Sequence, residues 1–256
     1  MNRLLKSEMV KLAKSRLLRL GVLLMLTLSA VTSLSSLSYA GSPMAEELEI
    51  VFYGYDAFFA SLKDTPTVSV LAMLAVTTVV CGDFENRTTQ LKIVAGYQRA
   101  PIFFSKLSAV AVADSLLLLP YALGRAALQG ALMGFGQPFT PRVIGTMAAA
   151  FFAAVLVGLS INGITLVLAF TLRRTALVAV IGFCLVLLGG NALVSIGIST
   201  PWLGRVLSNT PLGLLRAMAA ASYTPAALGR ALGISAAWIA DFALPACCLF
   251  QRADLK

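Results

Sequence analysis

Six charged residues crowd one stretch of an otherwise apolar chain. They are Asp83, Glu85, Arg87, Lys92, Arg99 and Lys106, within DFENRTTQLKIVAGYQRAPIFFSK. Mixed charge between two apolar runs offers binding chemistry. It can meet lipid headgroups or dock on a soluble partner. It does not offer histidine acid/base catalysis, because the sequence has no histidine. The same absence removes every histidine metal site. No G-x-x-x-x-G-K-[ST] is present, so the chain has no P-loop to cradle ATP phosphates. H-E-x-x-H and G-x-S-x-G are absent too. Cys81, Cys184, Cys247 and Cys248 lie in or beside apolar runs and form no C-x-x-C. They read as small hydrophobes rather than ligands or disulfides, and no metal site is expected. Asp114 and Asp241 sit on separate apolar runs, without the acidic cluster of a Mg²⁺-dependent phosphotransferase.

The elements that must position these charges are helices in a membrane. The chain has 256 residues, 59% of them hydrophobic and 12% charged, with mean hydropathy +0.88. Soluble domains carry about 25% charged residues. Half that share, with several long apolar runs, predicts an all-α polytopic membrane protein. The net charge of +9 is better explained by anchoring of cytoplasmic loops than by nucleic acid.

Residues 1–19 are expected to form an interfacial helix. Leu4, Leu5, Met9, Leu12, Leu17 and Leu20 recur near helical spacing against a basic face that includes Lys11. Spans are expected at about 20–40, 66–82, 101–123, 143–171, 176–198 and 234–250. Ser38 and Ala40 also fit a signal-peptide cleavage site, but the long basic flank containing Glu8 favours a retained span. The segment 41–65 is acidic and aromatic, as suits an external loop. Residues 199–233 are long for a structureless loop and read as external re-entrant or surface helices. With the N-terminus inside, fourteen of the twenty basic residues fall on the inner side. That asymmetry predicts six spans with both termini and Asp83–Lys106 in the cytoplasm.

Ionisable residues inside spans are costly and need an explanation. Asp114 and Asp241 could line a substrate path, join an interhelical pair, or be neutral structural groups. Arg125 is the candidate partner for Asp114. Ala150, Ala154, Gly158 and Asn162 recur every four residues. Small residues at that spacing predict close helix packing, within the chain or between two copies. Gly189 and Gly190 could kink the fifth span.

Residues 84–98 predict a short cytoplasmic helix with a polar first turn and Gly96 as its stop. The run Phe84-Glu85-Asn86-Arg87-Thr88, followed by Gly96, Arg99, Ile102 and Ser105-Lys106, resembles the pattern between spans two and three of ABC-2-type transporter permeases. The opening LLKSEMVKLAKSR, with Glu8 and Lys11, resembles that family's interfacial helix. The ending Phe250, Arg252 and Asp254-Leu255-Lys256 is similar to its usual close. Size and opening resemble permeases for bacitracin- and lantibiotic-type peptide export or immunity. The resemblance implies one permease domain over residues 1–256, with 84–98 as a coupling helix. Phe84, Glu85, Asn86, Arg87, Thr88, Gly96 and Arg99 would contact the partner. It implies two separate ATP-binding subunits, which hold ATP and Mg²⁺, and a second permease copy or a related permease. This chain would carry no cofactor of its own and sit in the plasma membrane. The substrate class stays open among amphipathic peptides, drugs and lipids. A non-transporting scaffold or sensor subunit and an intramembrane lipid-modifying enzyme are the competing readings.

Overall fold

The computed structural model describes residues 2–39, 52–189, 206–220 and 222–252. The described residues form ten α-helices. They are α1 (Asn2–Lys14), α2 (Arg16–Ser38), α3 (Gly54–Lys63), α4 (Thr65–Glu85), α5 (Thr88–Val94), α6 (Arg99–Met133), α7 (Pro141–Leu172), α8 (Thr175–Phe183), α9 (Pro211–Ala220) and α10 (Pro225–Arg252). A π-helical stretch, Cys184–Gly189, continues α8.

Local chemistry explains the boundaries. Ser15 leaves helical geometry, and its hydroxyl accepts from the Leu18 N–H at 3.4 Å, so α1 ends and α2 begins there. Thr140 caps α7 in the same way, just before Pro141. Arg87 (φ 57°) and Arg173 (φ 55°) adopt left-handed backbone and turn the chain after α4 and α7. Gly96 (φ 87°) supplies the turn after α5 without steric cost, as its sequence position led us to expect.

Five helices are long and apolar enough to cross a membrane: α2, α4, α6, α7 and α10. The fifth expected span starts as the shorter apolar helix α8, and residues 190–198 lie outside the described residues. So do residues 41–51 of the acidic external loop, Pro201, Arg205, Gly190 and the tail motif Asp254-Leu255-Lys256, while Gly54–Lys63 of that expected loop form α3. The third span is longer than expected. Pro120 does not interrupt α6, which runs to Met133 rather than ending near Leu123. The sixth also starts earlier, at Pro225 rather than near residue 234.

Contacts sort the helix ends into two groups. At one end the starts of α6 and α8 meet the ends of α4, α7 and α10. Phe84, Phe103, Phe170 and Phe250 form one aromatic cluster there, with ring centroids 4.9–6.1 Å apart. At the other end Gln129 Nε2 donates to Ser36 Oγ (2.5 Å), and Tyr121 Oη donates to Asp64 Oδ2 (2.6 Å). The Gly54 and Tyr55 N–H groups donate to the Gly134 and Phe135 carbonyls. This alternation is the one expected of successive membrane crossings. From Arg99 to Tyr121, α6 rises about 33 Å, close to the ~30 Å hydrocarbon core.

Helix α3 lies against α6 only because Gly54 has no side chain. A Cβ there would stand 2.5 Å from the Ala126 carbonyl oxygen and 2.9 Å from Gly130 Cα. Both are backbone and cannot swing away. Gly54→Ala should therefore cost about 1–3 kcal/mol, read as a lower unfolding temperature. Gly145→Ala, whose Cβ meets nothing within 4 Å, is the control and should not lower it.

Candidate functional site: a buried ion cluster beneath a short surface helix

Five charged side chains from four helices meet at the end of the bundle that holds the aromatic cluster. Glu8 comes from α1, as does Lys11. Asp83 comes from the last turn of α4, Lys92 from α5 and Lys106 from α6. Lys11 Nζ donates to Asp83 Oδ1 (2.5 Å), and Lys106 Nζ donates to Asp83 Oδ2 (2.7 Å). Lys92 Nζ donates to Glu8 Oε1 (2.5 Å) and Asp83 Oδ2 (3.4 Å). Lys106 Nζ also lies 3.9 Å from Glu8 Oε2. Glu8 and Lys106 are fully buried, and Asp83 nearly so.

Each helix supplies its charge for a local reason. Glu8 and Lys11 are three residues apart and share one face of α1. That face also buries Leu4 and Leu12. Asp83 precedes the Arg87 turn, which brings α5 back across the end of α4. Burial opposes the charge on Lys92, but the carboxylates of Glu8 and Asp83 outweigh it and raise its pKa above the ordinary 10.5. The sign follows from linkage. A raised lysine stabilises the fold fully below pH 10.5, and that contribution is lost as pH climbs through the higher folded value. Lys92 therefore stays charged throughout the neutral range.

The sequence marked Glu8 and Lys11 as surface residues of an interfacial helix. The structure turns Glu8 inward. The signal was present: Glu8 is the one acid among six basic residues in the first 19 positions.

The expected coupling residues separate into two sets. Phe84 and Glu85 belong to the end of α4, not to the short helix, which starts at Thr88. Phe84 packs on Phe170 and Phe250, with the Arg173 guanidinium 5.9 Å from its ring centre. Glu85 Oε1 accepts from the Thr175 N–H at 2.8 Å, placing a negative charge at the start of α8. Arg99 Nη1 donates to the Phe250 and Gln251 carbonyls (3.0 and 2.6 Å) and so caps the end of α10. These three residues tie spans together. Asn86 and Arg87 remain exposed, and Thr88 is half-buried. Helix α5 buries Thr89 and sends Lys92 into the ion cluster, while Leu91 and Val94 are 66% and 85% exposed. Leu91, Ile93 and Val94 are the apolar residues that the sequence places on this helix, and of the three Ile93 packs against the core.

The expected Asp114–Arg125 pair is not formed. Eleven residues of helix, about 16 Å, separate them. Arg125 Nη1 instead lies 3.7 Å from Asp64 Oδ2. Asn162 Nδ2 donates to both oxygens of Asp114 (3.0 and 3.1 Å). Gly158 makes room for this pair: a Cβ there would meet Ser69 Oγ at 3.0 Å and Asp114 at 3.4 Å. Ala150, Ala154, Gly158 and Asn162 are all buried, so this face packs within the chain and is closed to a second copy. Asp241 is exposed on α10, with no ion pair among the described residues. Nor do the described residues bring together three or more Cys, Asp or Glu side chains that could hold a metal ion.

In comparisons with known proteins, no family model and no curated protein matched the chain.

Proposed function

We propose that this chain is the six-span permease subunit of a plasma-membrane exporter driven by separate ATP-binding subunits. Its substrate would be amphipathic. The observation that carries the reading is helix α5. It presents Leu91 and Val94 outward from the side that the positive-inside asymmetry assigns to the cytoplasm. Two exposed apolar side chains on one short helix suit insertion into a groove on a soluble partner. On its other face, Lys92 ties the helix to α1, α4 and α6 through the ion cluster. A push on α5 would thus reach three membrane-associated helices through buried charges. Asn86 and Arg87 would form the polar rim of the contact. Phe84, Glu85 and Arg99 would pass the movement to α7, α8 and α10. The fifth span would be α8 with the residues that follow it.

The test is co-purification from cells expressing the chain with its neighbouring genes. An ATPase should be retained by the native protein. Leu91→Asp with Val94→Asp should reduce that retention at least tenfold without lowering the unfolding temperature, because both side chains are already exposed. Absence of an ATPase from the native preparation refutes the exporter reading. Undiminished retention by the double variant refutes α5 as the contact.

A further inference from the structure

Helices α4 and α7 pack against each other, and a small cavity lies between them. Thr77 of α4 and Asn162 and Thr165 of α7 line it, with Val80, Val110 and Leu166 among the apolar neighbours. Asn162 and Thr165 are three residues apart and so share one face of α7. All three polar side chains are more than nine-tenths buried. The Thr77 and Thr165 hydroxyls and the Asn162 Oδ1 have no hydrogen-bond partner among the described residues.

Other hydroxyls of these helices are satisfied locally. A serine or threonine inside a helix can donate to a carbonyl one turn back. Ser105 and Ser160 do so, to the Ile102 and Val157 carbonyls, each at 2.7 Å. Thr78, the neighbour of Thr77, donates to the Ala75 carbonyl at 2.7 Å, and Thr171 of α7 donates to the Val167 carbonyl at 2.8 Å. Thr77 and Thr165 make no such bond. Asn162 commits its Nδ2 to Asp114, which leaves its Oδ1 over. Inside a hydrocarbon layer bulk water does not reach such groups, and each one left unmet is costly. Three of them around one cavity point to something held in common.

The cavity offers about 10 Å³ to the centre of a water molecule. That is the space of one water, and it is too small for an organic ligand. We propose that this cavity is the binding site of a single buried water molecule, held by Thr77, Asn162 and Thr165. Each threonine hydroxyl donates to the water oxygen, and the water donates to Asn162 Oδ1. Three hydrogen bonds are typical of a buried water, and these three satisfy all the orphaned groups. The water also extends the Asp114–Asn162 pair to a third span. Asp114 on α6, Asn162 on α7 and Thr77 on α4 become one hydrogen-bonded chain, and a water-mediated link is nearly as favourable as a direct one. The inference does not rest on the ATPase reading and survives if no ATPase binds.

Valine has the shape of threonine without the hydroxyl, so Thr77→Val and Thr165→Val give opposite results for a wet and a dry cavity. With the water present, each change strips it of a partner and should lower the unfolding temperature of the detergent-solubilised full chain by about 2–4 °C. In a dry cavity each change removes an orphaned polar group and leaves that temperature unchanged or higher. Crystallographic density of the native chain supplies a readout that needs no variant to fold. It should show one peak within about 3.2 Å of both threonine hydroxyls and of Asn162 Oδ1. A sodium ion could give a similar peak, so unfolding is also measured in equal concentrations of sodium chloride and choline chloride. The two temperatures should agree. The proposal is overturned if the cavity shows no density, if either valine variant matches or exceeds the native chain in stability, or if sodium raises the unfolding temperature over choline, which assigns the site to a cation.

Discussion

Lys106→Met should destabilise the protein by about 3–5 kcal/mol and lower its unfolding temperature by roughly 10 °C. Lys106 is fully buried, and its ammonium lies 2.7 Å from Asp83 Oδ2. Removing it strips one cation from two buried carboxylates. Asp83 keeps Lys11 and Lys92, and Glu8 keeps Lys92 at 2.5 Å and Lys11 at 3.8 Å. The half-buried Lys92 and the one-third-exposed Lys11 must then serve both acids. Breaking a buried pair by deleting one partner is costly because the other charge stays desolvated. Deleting both partners is different. Asp83→Asn with Lys106→Met should recover at least half of the loss, since the carboxylate that Lys106 touches at 2.7 Å no longer has to stay charged and buried, and Glu8 keeps Lys92 and Lys11. Thermal unfolding in detergent reads both variants. Equal destabilisation by the single and double changes would show that the cluster contributes packing and not charge balance. Lys11→Ala should cost less than 1 kcal/mol, because Lys11 is one-third exposed and water screens its pair.

The cluster also shows which parts of the molecule were legible in the sequence. Apolar length located five long helices among the six expected spans, because it is a property of runs of residues. The stop at Gly96 followed from local turn chemistry, whereas the break at Arg87 falls inside the first turn expected for the short helix. What run-by-run reading missed was pairing across helices. Glu8 and Lys92 are 84 residues apart, and no local pattern records that they touch. The helix α4 boundary was misjudged for a related reason. Phe84 and Glu85 look like the polar start of a loop, yet their partners Phe170 and Thr175 hold them in the last helical turn. Tertiary contacts, supplied from 80 or more residues away, decided where that helix ended. Arg125 followed the same logic. Its partner Asp64 sits on the turn before α4, and nothing near Arg125 in sequence points there.

Asn162→Leu should cost about 2–4 kcal/mol, while Asp114→Asn stays within about 1 kcal/mol. Both carboxylate oxygens of Asp114 accept from one amide nitrogen, and no cationic side chain pairs with Asp114 among the described residues. A leucine at 162 removes that donor and leaves a buried polar group unpartnered, where it pays the full desolvation penalty. An asparagine at 114 keeps an acceptor oxygen facing the Asn162 amide, so most of the interaction survives. The double change Asp114→Leu with Asn162→Leu removes both polar groups and should regain most of the stability lost by Asn162→Leu alone. Gly158 limits that recovery, because the space it leaves fits the flat carboxyl group and not a branched side chain. Unfolding temperatures rank the three variants on stability. If the chain is the proposed exporter subunit, transport separates the two meanings of Asp114. If Asp114→Asn keeps both its stability and its transport rate, the acid serves only to hold α6 against α7. If stability is kept and transport falls tenfold, the negative charge itself is used during turnover, and the Asp114–Asn162 contact is a moving part of the membrane domain.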